Sequence, residues 1–212
     1  MYLFDKRTSN FRKACITIAL AVRISLVLAM LSAFINNKWL VLFVSGLTLF
    51  LTFLPSMIQD RYNIYFPIEV ELIAMVFVYA TLFLGDAHGY YTKFWWWDVV
   101  LHSASGLVFG LAGFLIMYAL WESKKVTASA GIIALFSFCF SVAIGALWEI
   151  TEFAIDYFFK ANMQKSGLVD TMWDLIVDSI SALIAALLGY SYLKGGKTHV
   201  FDNALKRFTK NQ

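Results

Sequence analysis

Long apolar runs separated by short charged or turn-rich stretches make up most of this chain. Each run extends for about 18–25 residues, the length that an α-helix needs to cross a bilayer, and lacks the alternation of barrel strands. Backbone groups in hydrocarbon must pair within their own segment, so helices are the expected spanning element. The pattern predicts an all-α, polytopic transmembrane helical bundle of about six spans, near 14–35, 39–58, 67–84, 99–121, 126–158 and 168–193.

Charged and helix-breaking residues mark the ends of these runs. The first run follows a basic stretch but exceeds the roughly 7–15 residues of a signal-peptide core, so we expect a retained helix. Pro67 can open the third span, and Gly85 and the pair Gly195-Gly196 can close two others. Without an internal repeat or a low-complexity linker, the whole chain, 1–212, is predicted to form a single integral-membrane domain.

Composition excludes a soluble domain, because 60% of the residues are hydrophobic and only 15% are charged. The net charge of +3 is small, and the basic residues lie in short loops and tails, so we expect no nucleic-acid partner. Cys15 and Cys139 fall at different depths of their spans, and a disulfide between them is not expected.

The seventeen basic residues predict an orientation. With a cytoplasmic N-terminus, twelve of them lie on the cytoplasmic side, four lie outside, and Arg23 falls within the first span. Lysine and arginine are retained on the cytoplasmic side of short loops. We therefore expect a multi-pass protein of the bacterial inner (cytoplasmic) membrane with both termini cytoplasmic and the loops after spans three and five facing outward.

Eight of the fourteen carboxylates gather at span ends that this orientation places outside. Residues three, four, seven or eight apart share one face of a helix. Such sets occur in spans four, five and six: Asp98 with His102; Glu149, Glu152 and Asp156; Asp170, Asp174 and Asp178. Asp86 and His88 follow span three at the same level. Three acidic faces are therefore expected to converge.

An ionised group in the membrane core costs roughly 2.5–3.5 kcal/mol on insertion scales, and clustered carboxylates repel unless they share protons or bind a cation. Carboxylates with an imidazole suit a divalent metal ion such as Mg²⁺, Mn²⁺, Ca²⁺ or Zn²⁺. The predicted metal ligands are His102, Glu149, Glu152, Asp174 and Asp178, with Asp98 and Asp156 as second choices. The predicted catalytic residues are Glu149, Glu152, Asp174 and Asp178.

The acidic residues also fit structural roles that need no metal ion. Asp86, Asp98 and Asp170 lie where helix caps or wetted loop residues occur. The acids deeper in the spans also fit a polar network that holds helices together. His88, beside a glycine, fits a solvated loop residue as well as a ligand.

Other residues favour packing and membrane anchoring. The aromatic stretch 90–97 fits an interfacial belt better than a sugar-stacking platform. Arg23 has two candidate partners, Glu71 and Asp178. Small residues in spans four and six predict close helix packing: Gly106, Gly110, Gly113, Ser179, Ala182, Ala186 and Gly189.

Three segments resemble the YjdF family of bacterial inner-membrane proteins: FWWWD at 94–98 with His102, WEITEF at 148–153 with Asp156, and NMQKSGLVDTMWDLIVD at 162–178. The resemblance covers roughly residues 67–190, and it implies an inner-membrane protein without specifying an activity. The order of acids in spans four to six is also similar to the VanZ family, which is linked to glycopeptide-antibiotic resistance at the cell envelope. Asp178 departs from that pattern, where an Asn is expected. This similarity implies an envelope or lipid-linked substrate by analogy.

Together these features favour a metal-dependent hydrolase or transferase that acts on a lipid or lipid-linked envelope substrate near the outer leaflet. A proton- or cation-coupled transporter and a non-catalytic membrane scaffold are the alternatives. The acids lie mainly in the outer half and no inverted repeat is present, which disfavours a carrier. The expected partners are membrane lipids; the sequence specifies neither the substrate, the ion nor the oligomeric state.

Overall fold

The structure, a computed structural model, describes residues 6–62, 68–160 and 162–195. Within these ranges the chain forms helices and turns without any strand, which confirms the predicted all-α fold class. It divides into two compact units, Met1–Trp97 and Asp98–Gln212. The α-helices are α1 (Lys6–Ile35), α2 (Trp39–Leu51), α3 (Leu54–Tyr62), α4 (Ile68–Val78), α5 (Tyr90–Lys93), α6 (Trp96–Glu122), α7 (Ala130–Phe159) and α8 (Leu168–Leu193).

Five helical segments of the described chain are long and apolar enough to cross a membrane. They are Asn10–Ile35, Trp39–Met57, Trp96–Glu122, Ala130–Phe159 and Leu168–Leu193. The third predicted span, 67–84, corresponds to a shorter apolar helix, Glu71–Gly85. Polytopic helical architecture is therefore confirmed, with one span shorter than expected. The side of the membrane on which the termini lie stays a prediction.

The second predicted span, 39–58, is present, but its helix is interrupted. The chain turns after α2, and α3 begins at Leu54. Pro55 has no backbone N–H to continue the helical ladder, and Thr52 Oγ1 donates to Leu49 O at 2.7 Å. Both effects favour a break at Thr52, so the span consists of two consecutive helices.

Arg23 of α1 contacts this break, which was not one of its predicted partnerships. Its Nη2 donates to Thr52 O at 3.0 Å, and its Nε donates to Thr52 Oγ1 at 3.3 Å. Its guanidinium carbon also lies 4.1 Å from the centre of the Phe53 ring. A carbonyl at the end of a helix needs a donor, and in a membrane water does not supply it. Arg23 thus supplies hydrogen bonds to two oxygens of Thr52 at the break between α2 and α3.

The third predicted span continues beyond α4 as a π-helix, Tyr79–Ala87. The wider ladder persists to its end, where His88 N–H donates to Phe83 O five residues back at 3.1 Å. Long π-helices are rare, and aromatic packing supports this one: a Cβ on Gly85 would overlap the Tyr91 ring. Pro67, expected to open this span, lies outside the described residues.

In the second unit, small residues let α6, α7 and α8 pack closely, as the sequence predicted. Ser137 and Ser141 of α7 donate to Gly110 O and Gly106 O of α6 at 2.6 and 2.8 Å. A Cβ on Gly110 would lie only 2.6 Å from Ala185 Cβ on α8. The three helices therefore meet at the glycines of α6, and this contact brings their polar faces together.

Candidate metal centre

His102 of α6 lies at the centre of a buried acidic cluster in the second unit. Its Nε2 is 3.7 Å from Asp98 Oδ1, 3.9 Å from Asp174 Oδ1 and 4.0 Å from Glu149 Oε1. Its Nδ1 is 3.3 Å from Asp178 Oδ2. Helices α6, α7 and α8 each contribute at least one of these side chains. The predicted convergence of the three acidic faces is therefore present for these five residues.

The depth of the cluster follows from helix geometry. His102 and Asp174 each lie six residues after the start of their helix, and Asp178 lies ten residues after the start of α8. Glu149 lies ten residues before the end of α7. At 1.5 Å per residue, the side chains are placed about 9–15 Å inside the helix ends. These four side chains thus lie between the helix ends and the middle of the spans.

The two nitrogens of His102 have different environments. An ionised carboxylate only accepts hydrogen bonds, so with Asp178 ionised the contact between Nδ1 and Asp178 Oδ2 places the proton on Nδ1. A neutral imidazole protonated at Nδ1 has its lone pair on Nε2, the nitrogen that faces Asp98, Asp174 and Glu149. This is the arrangement in which a carboxylate orients a metal-binding histidine.

Glu149 shows that the cluster is incompletely satisfied by protein groups. Its side chain is only 4% exposed, yet neither Oε1 nor Oε2 accepts a hydrogen bond from the described residues. The Thr171 hydroxyl on α8 is a neighbour, but it makes no hydrogen bond to Glu149 in this geometry. Asp178 Oδ1 is likewise buried without a hydrogen-bond partner in this part of the chain. Burying an unpaired carboxylate is costly, so these oxygens point to a positively charged or proton-donating group between the side chains.

The distances around Nε2 are too long for direct hydrogen bonds and near those expected between the ligands of one ion. Oxygens at 3.7–4.0 Å lie beyond the usual limit of about 3.2 Å for an N–H···O bond. Ligands that surround a metal tetrahedrally at about 2.0–2.2 Å are separated by roughly 3.4 Å. One atom each from Asp98, His102 and Asp174 lie within 4.8 Å of one another. Small side-chain rotations would bring this set to metal-binding distances. Glu149 is outside this group of three, although its Oε1 lies 4.0 Å from His102 Nε2.

The two carboxylate oxygens of Asp98 face different partners, one in the cluster and one on a lysine. Its Oδ1 faces His102, whereas its Oδ2 lies 2.7 Å from Lys165 Nζ. Both side chains are partly exposed, at 20% and 26%, unlike the buried members of the cluster. In the sequence, Lys165 is only one of the basic residues that predict the orientation of the chain in the membrane. It follows the last residue of α7 by six residues, and its reach to α6 depends on the path of the loop, which the sequence pattern does not predict.

Glu152 and Asp156, the remaining predicted site residues, and the neighbouring Asp170 take other positions. Glu152 is half-buried one turn beyond Glu149, within electrostatic range of Glu149 and His102. Asp156 is not among the residues around His102, because its carboxylate accepts Met163 N–H at 2.6 Å and Gln164 N–H at 2.8 Å. It therefore anchors the loop after α7. Asp170 lies in the first turn of α8, where a negative charge favours the helix terminus.

Two residues named with span three belong to the first unit. The exposed His88 donates from Nδ1 to Phe83 O at 2.9 Å, and its ring lies 4.4 Å from the Phe83 ring. These contacts give His88 a local role at the end of the π-helix. The side chain of Asp86 lies outside the described residues.

Gly145 is a second residue that sequence reasoning missed. A Cβ at this position of α7 would overlap Asp178 Oδ2 and lie 3.1 Å from Asp178 Cγ. The missing side chain makes room for the carboxylate that orients His102. The sequence does contain a sign of this role, a glycine within an apolar helix four residues before Glu149. Such a glycine often marks a position where another group packs closely against the helix.

Comparisons with known proteins place these residues in a family. A family model described as a predicted membrane protein (DUF2238) matches residues 16–195. A Thermotoga maritima protein described as uncharacterized is 30% identical over 122 residues, which cover 58% of this chain and 61% of that relative. No solved structure matches the chain.

Proposed function

The chain belongs to the predicted membrane protein family DUF2238, and from that premise we propose that its second unit binds a divalent metal ion for chemistry on a lipid or lipid-linked envelope substrate. The observation that carries the proposal is the buried carboxylate of Glu149, whose two oxygens are unpaired while Oε1 lies 4.0 Å from His102 Nε2. A cation between these groups would satisfy both oxygens. The donor set of carboxylates and one imidazole suits Mg²⁺, Mn²⁺ or Zn²⁺.

Each residue has a distinct role in this proposal. His102 Nε2, Asp98, Glu149 and Asp174 would hold the ion, and Asp178 would orient His102 through Nδ1. This assignment moves Asp178 from the ligand set to a supporting position. When bound, such an ion polarises a substrate oxygen or makes a bound water more acidic.

Glu152 is the residue best placed to accept a proton. It lies on the same face of α7 as Glu149 but one turn nearer the helix end, and its side chain is half-buried. A carboxylate that lies beside an ion but does not coordinate it can act as a general base towards water or a substrate hydroxyl. Glu152 would therefore serve hydrolysis or group transfer, and Glu149 would serve binding.

The interior of the second unit favours an enzyme over a carrier. Beyond the cluster, the buried polar residues of its described part are Ser137, Ser141 and Ser181. Two of these hydroxyls donate to backbone carbonyls of α6. The rest of this interior is apolar, with Phe114, Ile133 and Ala182 fully buried. A relay of protons or cations through this unit would need more ionisable or hydrated groups.

Two arguments support an envelope substrate: the similarity to other families and the depth of the cluster within the helices. The similarity of spans four to six to the VanZ family, and of residues 67–190 to the YjdF family, supports an inner-membrane protein that acts at the envelope. A cluster about 9–15 Å inside the helix ends suits a lipid whose headgroup stays at the interface. The predicted topology would make this the outer leaflet.

Metal content and thermal stability of the detergent-purified protein test the ion. We expect about one divalent ion per chain by elemental analysis, and a chelator should lower the melting temperature because bound metal stabilises the folded state. Glu149→Gln should remove this sensitivity. Glu122→Gln, at an exposed position at the other end of α6, is the matched control.

Other results would instead favour a proton-sharing network or a scaffold. A metal-free protein whose melting temperature ignores the chelator, and rises in Glu149→Gln because carboxylate repulsion is relieved, would indicate a proton-sharing network. The reaction itself can be tested by incubating proteoliposomes with a bacterial envelope lipid extract and identifying products by mass spectrometry. Products that need the ion and Glu152 would support the enzyme; the absence of any product would favour a scaffold.

A further inference from the structure

The loop between α7 and α8 is held by hydrogen bonds around Lys165. The Asp156 carboxylate accepts the backbone N–H groups of Met163 and Gln164. The chain then turns across Lys165, because Gly167 N–H donates to Gln164 O at 3.0 Å. These bonds hold the backbone on both sides of Lys165, which places its side chain within reach of Asp98 on α6.

That ion pair determines how Asp98 faces the cluster. Lys165 Nζ is 2.7 Å from Asp98 Oδ2, which leaves Asp98 Oδ1 directed at His102 Nε2 at 3.7 Å. A charge-assisted hydrogen bond of this length is strong. While it persists, Oδ2 is held towards Lys165, so Asp98 presents Oδ1 alone to an ion beside His102 Nε2.

We propose that Lys165 is a specificity-determining residue of the metal centre, which restricts Asp98 to one ligand oxygen and so favours small divalent ions over Ca²⁺. The inference rests on the proposed function, because it requires that an ion bind there. Ca²⁺ takes six to eight oxygens at 2.3–2.6 Å and often uses carboxylates bidentately, whereas smaller ions accept fewer protein ligands at shorter distances. Removing one available oxygen therefore penalises Ca²⁺ more.

The test compares Mn²⁺ and Ca²⁺ binding to the full-length purified protein. Free Mn²⁺ is measured by electron paramagnetic resonance, and Ca²⁺ by its competition with Mn²⁺. We expect Lys165→Met to reduce the preference for Mn²⁺ over Ca²⁺ by about tenfold, the scale of supporting-residue effects on metal sites. Loss of the positive charge strengthens binding of both ions alike, so the ratio isolates the change in coordination.

Three variants make the result specific. Lys165→Arg should retain the wild-type ratio, because a guanidinium can still hold Asp98 Oδ2. Lys160→Met should leave it unchanged, because Lys160 lies over the Tyr157 ring at 5.6 Å. In Asp98→Asn, adding Lys165→Met should shift the ratio much less, since the two substitutions affect one interaction. Lys165→Gln replaces the Met variant if that protein does not fold.

An unchanged ratio in Lys165→Met, with Mn²⁺ still bound, would overturn this inference and leave the metal centre intact. Failure of the wild-type protein to bind either ion would overturn the metal centre itself, and this inference with it. The two failures are therefore distinguishable in one set of titrations.

Discussion

His102 Nδ1 lies 3.3 Å from Asp178 Oδ2, and this contact directs the other ring nitrogen towards Asp98, Glu149 and Asp174. A carboxylate partner fixes both the proton position and the orientation of the imidazole and makes Nε2 a better donor to a metal. Asp178 and Asp174 lie one helical turn apart on α8, yet the geometry gives them different tasks.

The first prediction separates those tasks. Asp178→Asn should weaken Mn²⁺ binding by about 10–100-fold, because the amide oxygen still accepts from Nδ1 but carries no charge. Asp174→Asn should weaken it further, because a ligand oxygen loses its charge. Both constants are measured by titration of the purified protein. Equal losses in the two variants would contradict the assignment of Asp178 to a supporting position.

A second prediction concerns the space beside Asp178. Gly145→Ala adds a Cβ that overlaps Asp178 Oδ2, so the carboxylate must shift from its present contact with His102. We expect at least about a tenfold loss of Mn²⁺ affinity. Gly131→Ala on the same helix is the control, because its nearest neighbour would be Ser129 Oγ at 3.9 Å. A similar effect of both substitutions would mean that helix propensity, and not contact with Asp178, is responsible.

The spacing of the acids on α6, α7 and α8 was enough to predict that three polar faces meet, because helical periodicity fixes which residues share a face. It did not predict which ring nitrogen of His102 each carboxylate faces. It also missed the roles of Lys165 and Asp156, since the loop path includes left-handed residues at Lys160 and Asn162, φ 57° and 63°. Nothing in the pattern of apolar residues signals such a path.

In the spans as well, the sequence predicts the positions of the helices but not the irregularities within them. Hydropathy predicted where apolar helices lie, because length and composition decide that. The break at Thr52 has a local cause in Pro55 and the Thr52 hydroxyl, but its contact with Arg23, 29 residues away, is not visible in the hydropathy. The π-helix after Val78 is accompanied by the packing of Tyr91 against Gly85, which hydropathy also does not show.

A third prediction tests the close packing of α6 against α8. Gly110→Ala should destabilise the protein by about 1–3 kcal/mol, because its Cβ would lie 2.6 Å from Ala185 Cβ. Ala185→Gly in the same chain should restore part of the loss by removing the opposing methyl. Thermal unfolding in detergent measures both. Independent, additive effects of the two substitutions would argue against a direct contact.

A fourth prediction concerns Arg23. Arg23→Met should destabilise the protein by about 1.5–3 kcal/mol, because Thr52 loses its charged donor. Arg23→Lys should recover little, since an ammonium lacks the planar fork that bonds two oxygens while lying on Phe53. Arg12→Met, at an exposed position on α1, is the control for loss of charge. Full recovery with lysine would show that charge alone matters.

The last prediction places the cluster in the membrane. Basic residues favour the cytoplasmic side, so residue 125 should be inside and the loops at residues 92 and 166 outside. In a background with Cys15 and Cys139 replaced by serine, Thr92→Cys and Ser166→Cys should react with an impermeant maleimide in intact cells, and Lys125→Cys should react only after lysis. Ser166 adjoins Lys165, so its labelling also locates the open end of the metal centre. Labelling of residue 125 alone in intact cells would place that centre at the cytoplasmic leaflet, where an outer-leaflet lipid could not reach it.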